Sequence, residues 1–510
     1  MKSSRTKNTI LNAIGGMAVK MFGFVSTFIT RTVFLYILGI EYAGVSSVFS
    51  NVLTVLSFAE LGIGTAIIYA LYRPIAENDE AQISRLMNVY RKIYSMIACV
   101  IFGLGFCILP LLKYVITDIP AVKEDIRIIY LMYLINTAVS YLFIYKSTFL
   151  TAAQKDYLVS KYKIVVSALR TVAECAILLI FRSFVAYLGV SIAFGFAQNV
   201  IIAKIAEREF PVLKEKCPGK LSSEEKKKLI EDTKALALYK VSGTVLNGTD
   251  SIVTASILGT ASAGILGNYT LLVNQVYYFV STLFNATSAS IGNLAATSHS
   301  DHQYRVFHRI LFMGFWIYCF CATCLWTLLN PFMFVWQKGN HMFTTSVVTL
   351  LVIEFYMKGM LSPISQFRTS NGLFVQGKYR PVIMALINIV TSVILANEIG
   401  IAGIILGTIL SRIVTQMWYD PWLIYKNVFR KNVFYYFRTY IAYAAVTVLS
   451  CWLSGTILSF VCPAEGIAKV LVGAVICLFV PNCLVISVFW KNTYFIESIN
   501  LVRNIVRRKM

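Results

Sequence analysis

Charge is what this chain has little of, and negative charge least of all. Only 14% of its 510 residues are charged, with 24 Asp and Glu against 46 Lys and Arg. Soluble domains carry about 25% charged residues, so an ordinary water-exposed globule is excluded. Long polar linkers are also missing, apart from residues 207–235. No cleavable signal peptide is expected, because the apolar stretch after Lys2, Arg5 and Lys7 is too long and lacks a small-residue cleavage site. What fills the chain is apolar: 57% hydrophobic residues and a mean hydropathy of +0.69. A span needs about 20 such residues, which predicts an all-α polytopic membrane protein of about 14 transmembrane helices.

The net charge of +22 raises nucleic acid as a partner, but its distribution argues against that. Basic residues gather in every second linker, among them Arg73, Arg85, Arg91 and Lys92, then Lys155, Lys161 and Lys163. Arg305 and Arg309, Lys378 and Arg380, and Lys426, Arg430 and Lys431 continue the pattern, and the tail ends Arg507, Arg508, Lys509. The alternate linkers 39–42, 259–263 and 397–400 hold no Lys or Arg. This asymmetry is the positive-inside signature and places both termini in the cytoplasm. Trp418, Trp422 and Trp490 fall near span ends, as an interfacial aromatic belt requires.

Several patterns imitate function. Cys319, Cys321 and Cys324 lie inside a predicted span and read as small apolar filler rather than metal ligands. Gly372 to Lys378 matches most of a phosphate-binding loop, but Tyr379 stands where a magnesium-binding Ser or Thr belongs, and no strand precedes it. His299, His302 and His308 read as a solvated inside linker. Asn247, Asn268 and Asn285 open glycosylation sequons at membrane depth, where they are not usable. No metal and no cofactor is expected.

An internal repeat organises the chain. The pattern ILG-x3-AG runs from Ile37 to Gly44 and again from Ile257 to Gly264, and Lys20 recurs as Lys240 at the same offset of 220. Gln154 and Tyr157 recur as Gln376 and Tyr379. The reading is two pseudo-symmetric six-helix lobes, 1–206 and 236–425, joined by the cytoplasmic linker 207–235. Two further helices and a basic tail occupy 426–510. Parallel repeats of this kind place a substrate site between halves. In the linker, Ser222 and Glu225 form a capping-box pattern beside Lys226, Lys227 and Lys228, read as a solvated connection with anionic lipid as the alternative.

Seven bases fall within predicted spans: Lys20, Arg31, Lys146, Arg170, Lys240, Lys358 and Arg412. The acids there are four: Glu60, Glu174, Asp250 and Glu354. A cation at bilayer depth costs at least about 2.5–3.5 kcal/mol, so each needs a partner or a watery cavity. Arg170 with Glu174, and Glu354 with Lys358, can pair at i,i+4. Lys146, Lys240 and Arg412 lie near inner ends and can snorkel. Lys20 and Arg31 share a face of the first helix, about three turns and roughly 16 Å apart. Lys20 matches Glu60 in depth. Arg31 is near an outer end, where snorkelling is disfavoured, with Asp250 at similar depth as a candidate partner.

The stretches FAELGIGTAIIYALYRPIAENDE (58–80), NGTDSI (247–252), ASIGNLAAT (289–297) and GLFVQGKYRP (372–381) resemble the polysaccharide-transport branch of the MOP flippase superfamily, which includes Wzx-type O-antigen and capsular repeat-unit flippases. The resemblance implies a protein of the bacterial cytoplasmic membrane. It implies flipping of undecaprenyl-diphosphate-linked oligosaccharide by two alternating lobes, with a polymerase of the same pathway as a partner. On that reading Arg31 grips the diphosphate, since a guanidinium matches it with two parallel hydrogen bonds. Lys20, Glu60, Lys240, Asp250 and Arg412 are the other cavity candidates, and Asp250 and Glu60 are candidates for sodium or proton coupling. A MATE-type exporter is the alternative, although a cation cargo favours a more acidic interior. A polysaccharide polymerase or ligase needs a sizeable outer loop bearing catalytic groups, which this chain lacks, so an enzyme is not expected.

Overall fold

A computed structural model describes residues 2–60, 63–112, 122–153, 155–213, 248–285, 291, 294, 299–373, 376–377 and 379–507. Among them there is helix and no strand. Lipid offers no hydrogen bonds to a backbone, so apolar runs of this length close their bonds internally as helices. In the N-terminal half these are α1 (Lys2–Ile37), α2 (Ile40–Leu56), α3 (Ile63–Glu77), α4 (Glu80–Ile108), α5 (Ile126–Ala152), α6 (Tyr157–Phe181) and α7 (Phe184–Glu209). Then come α8 (Thr260–Asn285), α9 (Ser300–Gln337), α10 (Thr345–Ser370), α11 (Arg380–Ile399) and α12 (Ile401–Phe429). The chain continues with α13 (Phe434–Val461), α14 (Ile467–Phe489) and α15 (Thr493–Arg507). Eleven helices among the described residues are long and apolar enough to cross a membrane. The other expected spans are 43–72, which is interrupted, 236–258, which lies partly outside the described residues, and 264–295, seen as α8.

The interruption is a finding that hydropathy did not show. Residues 43–72 read as one span, yet α2 stops at Leu56, a tight 3₁₀ turn covers Ser57–Glu60, and α3 restarts at Ile63. Elsewhere the termini follow ordinary capping. Asp79 accepts from the backbone N–H of Gln82, Asp125 from that of Arg127, and Ser183 from that of Ala186.

The chain divides into two compact units, Met1–Gly264 and Ile265–Met510. In the first, Phe184 packs edge-on against Phe34 and Tyr42. In the second, the two helices beyond the predicted repeat are built into an aromatic core: Phe315 of α9 stacks on Tyr443 of α13 at 4.1 Å and meets Phe489 of α14 at 5.4 Å. Large apolar side chains such as Val172, Ile180, Phe460 and Leu471 stay exposed, as a surface solvated by lipid tails permits.

Within the first unit the two copies of the repeated pattern meet each other. Gly39 and Gly259, at equivalent places, both adopt positive φ (94° and 86°) and turn the chain into α2 and α8. Five residues on, a Cβ at Gly44 would lie 1.9 Å from the Thr260 carbonyl oxygen, and one at Gly264 would lie 2.7 Å from that of Ile40. Residue 40 is the repeat equivalent of residue 260, so the contact is reciprocal, as across a two-fold axis. Only glycine allows it. Gly44→Ala is expected to destabilise by about 1–3 kcal/mol through overpacking. Gly103→Ala, with nothing within 4 Å of the added carbon, serves as the control. Equal shifts in thermal unfolding for the two variants would refute the close crossing.

Candidate functional site

Each unit holds a partly buried group of two bases and one acid within its helices. In the first unit, Glu174 of α6 accepts from Arg170 Nε at 2.7 Å, one helical turn away, and from Thr30 Oγ1 of α1 at 3.3 Å. A terminal amino group of Arg170 donates to Ser191 of α7 at 2.5 Å. The i,i+4 pairing read from sequence is present. Arg31, next to Thr30, is partly buried, its guanidinium carbon 6.0 Å from the Phe34 ring centroid. Its electrostatic neighbours include the hydroxyls of Tyr133 on α5 and Tyr187 on α7. Tyr133 shares a 2.6 Å hydrogen bond with Ser46 of α2. Five helices thus converge on Arg31, Arg170 and Glu174.

The second unit also brings bases and an acid together, with different residues. Arg412 donates to Glu354 Oε1 of α10 at 2.7 Å, and Lys358 stands 4.3 Å from the Tyr277 ring centroid. Two expectations are corrected here. Glu354 was expected to pair along its own helix with Lys358, and Arg412 to snorkel to the inner end. Helix rotation instead turns Glu354 toward α12, and Arg412 is buried. It sits just before a π-helical turn, Ile413–Met417, a widening that recurs at functional positions. Arg412 Nε has no hydrogen-bond partner among the described residues.

The remaining candidates are dispersed. Lys146 does not snorkel alone but bonds Glu207 of α7 at 2.5 Å. Glu60, at the break between α2 and α3, accepts from Tyr94 of α4 at 2.7 Å. Lys20 lies on the exposed side of α1. Asp250 is partly buried in the helical stretch 248–258, where its carbonyl accepts from Thr254 at 2.6 Å. Lys240, most of 207–235 and most of 289–297 fall outside the described residues. His308 is not in a solvated linker: it is buried on α9, 2.8 Å from the Tyr425 hydroxyl. No group of three metal-ligating residues occurs among the described residues. Cys319 is buried, its thiol 3.8 Å from Ser450.

Sequence reasoning missed one charged centre. Asp420 is fully buried between Arg368, at 2.9 Å, and Arg380. Arg368 also donates to the carbonyls of Leu373 (3.0 Å) and Gln376 (2.9 Å). Two backbone carbonyls of the stretch that imitates a phosphate-binding motif are therefore held by the Arg368 guanidinium. Arg380 had been read as topology signal and Asp420 not at all. An acid flanked by aromatics in an otherwise basic linker was the available clue.

No family model matches the chain, and no curated protein matches it. Solved structures do. The lipid II flippase MurJ, in an inward closed conformation, is 14% identical with a TM-score of 0.64, covering 94% of this chain and 99% of that one. A multidrug resistance MATE family transporter of the MOP superfamily, inward-facing, is 11% identical with a TM-score of 0.60, over 80% of this chain and 97% of that one. A MOP superfamily transporter from Pyrococcus furiosus, described by the reverse polarity of its binding pocket, is 14% identical with a TM-score of 0.52, over 84% and 97%. At these identities the likeness concerns architecture. This chain has the multi-pass membrane fold of the MOP-superfamily transporters and flippases.

Proposed function

We propose that the protein flips undecaprenyl-diphosphate-linked oligosaccharide across the bacterial cytoplasmic membrane, by alternating access, for surface polysaccharide synthesis. The observation that carries this reading is the preponderance of bases over acids at predicted membrane depth, seven to four, with Arg31 and Arg170 beside Glu174 and with Arg412 bonded to Glu354. Bases in excess of acids at membrane depth suit an anionic cargo and disfavour a cationic drug. Arg31 serves the diphosphate on this reading, through the two parallel hydrogen bonds that a guanidinium offers. Asp250 and Glu60 are the coupling candidates for sodium or protons. The likeness to a lipid II flippase supports a lipid-linked cargo. A deletion strain tests the reading through the leaflet in which lipid-linked intermediates accumulate. Accumulation on the cytoplasmic side is expected, and accumulation of unpolymerised units outside would overturn it.

A further inference from the structure

We propose that α15 is a docking helix for anionic phospholipid. It follows α14, the most apolar of the candidate spans, after a short connection. Trp490 and Lys491 in that connection are exposed, with Lys491 Nζ 4.9 Å from the Trp490 ring centroid. Tryptophan and lysine at a span end mark headgroup level, so α15 starts at the membrane surface. Its sequence places it there on the predicted inner side.

One face of α15 is used by the protein itself. Tyr494 stacks on His308 at 5.4 Å, Phe495 lies 5.5 Å from Trp316 and 6.1 Å from Phe312, and Ser498 is buried. The other face presents Ile496 and Ile499, 47% and 43% exposed. At about 100° per residue, positions 503 and 507 fall on the same line as 496 and 499. Those positions are Arg503 and Arg507, followed by Arg508 and Lys509, while Glu497 is the one acid of the helix. Water explains the arginines but not the isoleucines, and a neutral lipid surface explains the isoleucines but not the arginines. An interfacial helix on anionic lipid explains both: apolar side chains enter the acyl boundary and bases meet headgroup phosphates.

The test uses the full-length protein in phosphatidylcholine nanodiscs, with and without phosphatidylglycerol, at low ionic strength. Amide hydrogen exchange across 493–507 is the readout. Phosphatidylglycerol is expected to slow exchange about tenfold. Arg503→Gln with Arg507→Gln should remove that lipid-dependent slowing, and the double Lys variant should restore it, because phosphate attraction needs charge rather than a guanidinium fork. Ile496→Ser with Ile499→Ser should speed exchange in both lipids. Equal exchange in the two lipids, or slowing that survives the double Gln change, overturns the proposal. Transport is not read in this experiment, so its failure leaves the cargo assignment untouched.

Discussion

Arg31→Ala is expected to lower flipping of lipid-linked oligosaccharide in reconstituted vesicles by about 10- to 100-fold. A hydrogen bond to a charged group contributes about 1.5–3 kcal/mol, and about 1.4 kcal/mol is a factor of ten. Removing the guanidinium leaves Arg170 and Glu174 bonded to each other. Membrane insertion and yield should therefore stay near those of the parent. Arg31→Lys keeps the charge but not the planar pair of donors, and intermediate transport is expected. Parental flipping by the Ala variant would remove Arg31 from the cargo site.

The second large effect concerns stability. Asp420→Asn keeps the shape of the side chain but leaves Arg368 and Arg380 facing each other in a buried site without a counter-charge. Breaking a buried pair from one side costs about 3–5 kcal/mol, a large share of the roughly 5–15 kcal/mol that holds a typical domain folded. A steep fall in the thermal unfolding midpoint of the solubilised protein is expected. Glu465→Gln supplies the contrast: its pair with Lys469 is also short, 2.6 Å, but Glu465 is exposed. Exposed pairs contribute about 0–1 kcal/mol, so that midpoint should barely move. Similar shifts for both variants would mean that the buried Asp420 centre contributes no more to stability than an exposed pair.

The residues themselves show how far sequence carried the account. Arg170 and Glu174 were legible because both partners ride on one helix, whose geometry brings i and i+4 together whatever surrounds it. Glu354 was misassigned by the same rule. Lys358 satisfies the spacing, but Arg412 comes closer once α10 and α12 pack, and spacing along one helix carries no information about a neighbour's rotation. His308 was read as loop because polar residues around it resembled a linker, whereas α9 begins at Ser300 and carries it into an aromatic core. The break at Ser57–Glu60 left no mark in hydropathy, since both half-helices are apolar.

Composition alone determined the class of this protein: with so little charge and so much apolar chain, helices crossing a bilayer are the stable solution. The repeated glycine pattern determined that two segments are equivalent, and basic linkers set the expected topology. Tertiary structure alone decided that Arg412 keeps Glu354, that Gly44 and Gly264 face each other, and that Asp420 bridges Arg368 and Arg380. The physical reason is range. Hydropathy and helical period are local and survive in any packing, but an ion pair between helices depends on depth, rotation and approach, which are fixed only when the helices meet.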